Sequence, residues 1–115
     1  MNIDFERVRI FVRPGTTDMR KQINGLAVIA EALMGQQPFS GNLFLFCGRN
    51  RNVLKVLYWD RNGFCLWIKR LEKEKFPWPS GDTEAREIDR EQIRLLLRGI
   101  DFWHEHRSLR YTTVL

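Results

Sequence analysis

Residues 41–79 read GNLFLFCGRNRNVLKVLYWDRNGFCLWIKRLEKEKFPWP and decide the fold. Within them Leu43 to Cys47, Val53 to Trp59 and Phe64 to Leu71 are rich in β-branched, aromatic and aliphatic residues, each run bounded by Gly or Asn. That composition predicts three strands. The last two are joined by Asp60-Arg61-Asn62-Gly63, whose Asn-Gly pair accepts the positive φ values of a tight hairpin turn. Both parities of these strands are apolar: Leu54, Val56 and Tyr58 alternate with Val53, Leu57 and Trp59, and Phe64, Leu66 and Ile68 with Cys65 and Trp67. Both sheet faces therefore need cover. A helix can shield one, and the C-terminal segment or a second subunit is expected on the other. Phe76-Pro77-Trp78-Pro79 is extended, and its prolines, which cannot donate to a ladder, keep it out of a central strand.

Toward the N-terminus, Arg7 to Arg13 alternates, with Val8, Ile10 and Val12 on one face and Arg7, Arg9, Phe11 and Arg13 on the other. This predicts an amphipathic strand whose outer face mixes guanidiniums with an aromatic ring. Pro14-Gly15 turns the chain, since Gly accepts the positive φ of a type II turn. Thr16 or Thr17 is expected to cap the following helix, with Asp18 complementing its dipole. Ile23, Leu26, Ala27, Ala30 and Leu33 recur at helical spacing, Gly25 weakens the helix, Gly35 ends it, and Gln36 to Gly41 connects onward. Toward the C-terminus, Ser80 to Glu87 is read as a polar, mobile loop. Asp89 then caps a second helix with an apolar stripe of Ile93, Leu96, Leu97 and Ile100, ended by Gly99.

The expected architecture is a single α+β domain over residues 1–115, an antiparallel sheet of about four strands with two helices. Its ordered core spans residues 5–103, with a flexible tail over 104–115. At this length the chain buries a sufficient core without disulfides or metal. Only Cys47 and Cys65 are cysteines, no apolar stretch approaches the length of a membrane span, and no apolar leader precedes Arg7. A reduced cytoplasmic setting is expected, with no membrane partner.

The formal net charge is +5, and its distribution is uneven. Residues 49–78 hold eight Lys/Arg against three acids, so the whole excess lies there. That asymmetry suits a surface meeting a polyanion, and equally a solvated basic face. The turn Gly48-Arg49-Asn50-Arg51-Asn52 presents two guanidiniums and two amides, groups that grip phosphates or base edges. Arg49, Arg51, Lys55, Arg61, Lys69, Arg70, Arg9, Arg13, Arg20 and Lys21 are therefore the candidate nucleic-acid contacts. Trp59, Trp67 and Trp78 are candidate stacking platforms or interface anchors.

Catalysis finds little support. Cys47 and Cys65 lie 18 positions apart and His104-x-His106 is isolated in the tail, unlike the close ligand pairs of zinc sites. Neither G-x-S-x-G nor H-E-x-x-H occurs, and Asp18, Asp60 and Asp101 read as cap, turn and tail residues rather than a carboxylate metal site. No metal, cofactor or small-molecule substrate is expected.

The blocks Thr17-Asp18-Met19-Arg20-Lys21, Asn24-Gly25-Leu26, Ser40-Gly41-Asn42-Leu43-Phe44, Lys55-Val56-Leu57-Tyr58-Trp59-Asp60, Gly63-Phe64-Cys65-Leu66-Trp67, Lys69-Arg70-Leu71-Glu72 and Trp78-Pro79 together carry a resemblance. In this order, across residues 7–103, they resemble the TnpB accessory proteins of the "sixty-six" class of bacterial insertion sequences. Gln22, Asn24 and Glu74-Lys75 depart from that pattern. The resemblance implies a protein needed for transposition beside a separate, larger transposase, with no catalytic residues of its own. The expected partners are DNA at the transposon ends, the transposase of the same element and a second copy of the chain. Two readings stay open: direct DNA binding through the basic hairpin region, or an interaction module that docks the transposase or self-associates.

Overall fold

A computed structural model of the chain describes residues 3–81 and 84–103. Strand β1 (Ile10–Val12), helix α1 (Ile23–Ala32), a 3-10 turn (Pro38–Ser40), strands β2 (Leu43–Cys47), β3 (Val53–Asp60), β4 (Gly63–Arg70) and β5 (Arg86–Ile88), and helix α2 (Arg90–Leu97) follow in order. The strands form one sheet in the order β4-β3-β2-β1-β5. The α+β class, the two helices and the β2–β3–β4 meander are as expected. Among the described residues the sheet has five strands, close to the four or so expected, and it is mixed rather than antiparallel throughout.

The parallel pair is β1 with β2, in the register Ile10↔Leu43. Its cause is the long connection through α1, which carries the chain back to the end of the sheet where β1 started and makes β1, α1 and β2 a crossover unit. The extra strand comes from the segment read as a loop: Arg86–Ile88 pairs antiparallel with β1, Val12 opposite Arg86. Three residues, two of them charged, give no alternation long enough to read.

Each sheet face carries its own core. On one, Ile10, Val12, Leu43, Leu45, Cys47, Leu54 and Val56 pack against Phe76, Trp78, Ile93, Leu96 and Phe102. The C-terminal half of the chain thus covers this face, as one of the two expected solutions. On the other, Phe11, Phe44, Phe46 and Leu57 pack against Leu26 and Ala30 of α1 and against Met34. Phe11 was expected on a solvated outer face; it is buried because α1 crosses over that side. Burial of each such phenylalanine contributes about 1.5–3 kcal/mol.

Local signals were met unevenly. Helix α2 starts as read: Asp89 accepts from the Gln92 amide at 2.8 Å, and the Gln92 side chain accepts from the Asp89 amide at 2.9 Å, closing a capping box. Helix α1 starts later than expected, at Ile23, with no side-chain cap on Gln22. Thr17 is instead buried, and its amide donates to the Cys47 carbonyl at 2.9 Å, which holds residues 16–19 in the loop. Leu33 points outward and Met34 takes the core position, after which Gly35, at φ +65, ends the helix. In the β3–β4 hairpin the positive φ falls on Arg61, at +55, and not on Asn62 or Gly63. The reason is register: Gly63 belongs to β4 opposite Asp60, so the two-residue loop is Arg61-Asn62 and its first position carries the left-handed conformation.

Candidate nucleic-acid interface

Strands β1 and β2 run parallel and finish at one end of the sheet, where β3 begins and β4 finishes, Val53 opposite Arg70. Arg13, Arg49, Arg51, Lys69 and Arg70 are collected at this end by topology alone. Residues 16–21 join them: Met19 packs on Gly48, where an added Cβ would lie 2.6 Å from the Met19 Cγ. Arg61 is elsewhere. It closes the hairpin at the opposite end of β3, about 25 Å away at the rise of an extended strand. Arg9, just before β1, also lies at that far end.

Several of the candidate cations are committed to the fold. Lys55, read as a surface cation, is only 4% exposed. It faces the α1 side of the sheet, and its Nζ donates to the carbonyls of Met19 at 2.8 Å and Lys21 at 2.9 Å. Lys69 Nζ donates to the Leu97 carbonyl at 2.8 Å, neutralising the negative end of the α2 dipole. Arg51, in the left-handed region at φ +61, donates through Nη1 to the Trp78 carbonyl at 2.7 Å. Lys75 Nζ reaches the Asn50 carbonyl at 2.9 Å and fixes the β2–β3 turn from outside. A buried or shared ammonium on backbone carbonyls is the fold's own electrostatics, and sequence composition cannot distinguish it from a binding cation.

Others form exposed ion pairs. Arg9 grips Glu87 with Nε at 2.9 Å and Nη2 at 2.7 Å, and its Cζ lies 4.9 Å from the centre of the Phe11 ring. The hydrogen bond from Arg9 holds the Glu87 carboxyl below its ordinary value, against a smaller opposing effect of burial. Arg20 binds Asp18 through Nε at 3.0 Å and Nη2 at 2.7 Å, which pulls the Asp18 carboxyl well below the usual carboxylate range. Arg70 pairs with Glu72 at 3.1 Å.

Arg49 and Lys21 are exposed at the basic end with no side-chain hydrogen bond or close ion pair among the described residues, and the Lys21 charge adds to the pull of Arg20 on the Asp18 carboxyl. Arg49 lines an open cleft of about 470 Å³ with Thr16, Thr17, Asn50 and Asn52, closed behind by Met19 and Gly48. Asp18 also lines it, but its charge is taken up by Arg20. The cleft therefore offers a free guanidinium beside amide and hydroxyl groups, a set that suits a phosphate or a base edge. Thr16 and Thr17 were missed as lining residues because a threonine pair before a helix reads first as a cap.

The tryptophans separate. Trp78 is buried, and its Nε1 donates to the Arg13 carbonyl at 2.8 Å. Trp67 packs at the margin of the same core. Trp59 lies on the α1 side with its ring 5.1 Å from Phe39 and 5.0 Å from Phe64, forming an aromatic cluster in which Phe39 is 56% exposed. Both cysteines are free. Cys47 on β2 and Cys65 on β4 are separated by β3, too far apart to share one metal ion. Burial pushes the Cys47 thiol up to about 11, against the opposing charge of Arg51. His104 and His106 lie outside the described residues. None of the described helices is long and apolar enough to cross a membrane.

Comparison with known proteins adds the family. The family described as "IS66 Orf2 like protein" matches residues 8–107. The chain is 39% identical over 109 residues to the uncharacterized protein y4hO of Sinorhizobium fredii strain NGR234, covering 95% of each. It is 32% identical over 101 residues to y4jC of the same strain, covering 88% of this chain and 86% of that one. No solved structure matches the chain. The matched span takes in every strand and both helices, and the chain therefore belongs to the IS66 Orf2-like (TnpB) family, with the insertion-sequence accessory role that this family suggests.

Proposed function

We propose that this protein serves transposition as a non-enzymatic DNA-binding component, meeting transposon-end DNA in the cytoplasm at the sheet end that carries the β2–β3 turn. The observation that carries this reading is Arg49, exposed in the Thr16–Asn52 cleft and unpaired among the described residues. Arg13, Arg20, Lys21, Arg51 and Arg70 belong to the same end of the sheet, Arg20 and Arg70 with their charge shared with Asp18 and Glu72. Lys55 and Lys69 support it only indirectly, by holding the 16–21 segment and α2 in place. Arg9 and Arg61 belong to the far end and are not part of this surface.

Fluorescence anisotropy of the protein with a duplex carrying the element's terminal repeat, across a salt series, tests the reading. Affinity should fall steeply with salt, because each phosphate contact releases condensed counterions. Arg49→Ala should weaken binding and lower the salt slope by about one. Undiminished affinity in Arg49→Ala would remove the cleft from the interface, and no binding at low salt would remove DNA as a direct partner.

A second reading rests on the Phe39, Trp59 and Phe64 cluster, which leaves a large aromatic ring in solvent. Exposed aromatic anchors of this kind suit docking of the transposase of the same element. Co-purification with transposase, lost in Phe39→Ser while DNA affinity is retained, would favour it.

A further inference from the structure

The two edges of the sheet are built differently. Strand β5 is three residues long, with Arg86 and Glu87 exposed, a short and charged edge that resists further pairing. Strand β4 is eight residues long and, among the described residues, pairs only with β3. Its centre, Phe64-Cys65-Leu66-Trp67-Ile68, is uninterrupted by charge, and Ile68 is 51% exposed. A long apolar edge is a template for another strand.

The phase of the ladder defines what that edge offers. The Leu71 amide donates to the Asn52 carbonyl at 2.8 Å, so Asn52 and Leu71 form a bonded pair. Alternation along an antiparallel ladder then turns Gly63, Cys65, Trp67 and Lys69 inward to β3. The backbone groups of Phe64, Leu66, Ile68 and Arg70 are directed outward.

We propose that this edge binds the β4 of a second copy of the chain, antiparallel and centred on Leu66, so that two sheets become one of ten strands. Only registers that oppose outward residues can bond, and among these the one centred on Leu66 matches side chains best. It sets Phe64 against Ile68 of the copy, Leu66 against its counterpart, and Cys65 against Trp67. Lys69 then meets Gly63 and Arg70 meets Asn62, so no cation faces a cation. Centring on Cys65 would instead oppose Arg61 and Lys69, and centring on Trp67 would oppose Phe64 and Arg70. Trp103, the last described residue, lies beside the other edge, its ring 5.7 Å from the guanidinium carbon of Arg86 on β5. The Arg49 cleft is not part of this edge, and the two surfaces share only Arg70, so the dimer and the DNA reading can fail separately.

Sedimentation equilibrium and residue-resolved amide exchange test it together on the full chain. The expected result is a mass twice that of one chain, with the Phe64, Leu66 and Ile68 amides protected. In Ile68→Lys, which places a charge opposite Phe64, the mass should halve and these three amides should exchange at least tenfold faster. The Cys65 and Trp67 amides, bonded to β3, should stay protected and so report that the fold is intact. Ile68→Pro, which removes an outward donor only, should likewise halve the mass and speed exchange of the Phe64 and Leu66 amides. A wild-type monomer overturns the proposal whether or not these amides are protected, since protection without dimerisation would mean the chain covers its own edge. A dimer with fast outward amides, or one unaffected by both Ile68 variants, also overturns it.

Discussion

Lys55 Nζ donates a 2.8 Å hydrogen bond to the carbonyl oxygen of Met19, across the α1 side of the sheet. With its second bond, to the Lys21 carbonyl, it ties the segment that enters α1 onto the middle of β3. A charged donor to part-buried carbonyls contributes about 1.5–3 kcal/mol per hydrogen bond. Lys55→Ala should therefore lower unfolding stability by about 2–4 kcal/mol in urea titrations, and Lys55→Met, which keeps the packed stem, by somewhat less. Arg49→Ala should stay within about 0.5 kcal/mol of the wild type. Equal effects at the two positions would show that Lys55 is not a structural cation.

Gly48 and Met19 are coupled by contact. A Cβ on Gly48 would meet the Met19 Cγ at 2.6 Å, close to the backbone of a segment already held by the Thr17 amide and by Lys55. Gly48→Ala should cost about 1–3 kcal/mol, the usual penalty of overpacking. Met19→Ala removes the obstructing atom, so the double variant should be more stable than the sum of the two single losses predicts. Strict additivity in chemical denaturation would contradict the contact.

These two cases also show what could be read in the sequence. The meander was legible because β2, β3 and β4 are each a run of apolar residues bounded by Gly or Asn, and α2 because Asp89 and Gln92 stand at capping-box spacing. The β1–α1–β2 crossover was half legible: strand and helix were read, but a short strand with arginines on one parity looks solvated until a helix is laid over Phe11. The site was less legible still. A lysine that bonds two carbonyls and an arginine free in solvent contribute equally to a charge count, and only tertiary contacts separate Lys55 from Arg49.

The two thiols should differ in reactivity. Cys47 is fully buried, and burial raises its thiol to about 11, so it stays protonated at neutral pH and out of reach. Cys65, on edge strand β4, is only partly buried. Titration with an aromatic disulfide reagent at pH 8 should release one equivalent of thiolate from the native chain and a second only in denaturant. Mass spectrometry should place the first on Cys65. Early labelling of Cys47 would mean that the β2 core opens readily.

Two exposed ion pairs give the fold an acid-side pH dependence. Asp18 and Glu87 both titrate below their ordinary values of 3.8 and 4.5 because Arg20 and Arg9 hydrogen-bond the ionised carboxylates. With the folded value lower than the unfolded one, each contribution is fully present above the ordinary value and is lost as pH falls through the folded one. Stability should therefore be flat near neutrality and decline below about pH 4.5, more shallowly in Asp18→Asn and Glu87→Gln, and the difference should shrink in high salt. Urea midpoints between pH 7 and pH 3 measure this, and identical slopes in wild type and variants would contradict it.

Arg49 and Arg61 provide a test of place against charge. Both are exposed loop arginines, and reversal of either changes the net charge by the same amount, but they sit at opposite ends of β3. If DNA were drawn only by the overall field, Arg49→Glu and Arg61→Glu would reduce affinity alike, and 150 mM salt would erase both effects because the screening length is then about 8 Å. Contact at the cleft requires a different pattern. Arg49→Glu should reduce affinity at least tenfold at that salt, since it removes a phosphate contact and adds repulsion, whereas Arg61→Glu should change it less than twofold. The opposite order would move the interface to the β3–β4 hairpin.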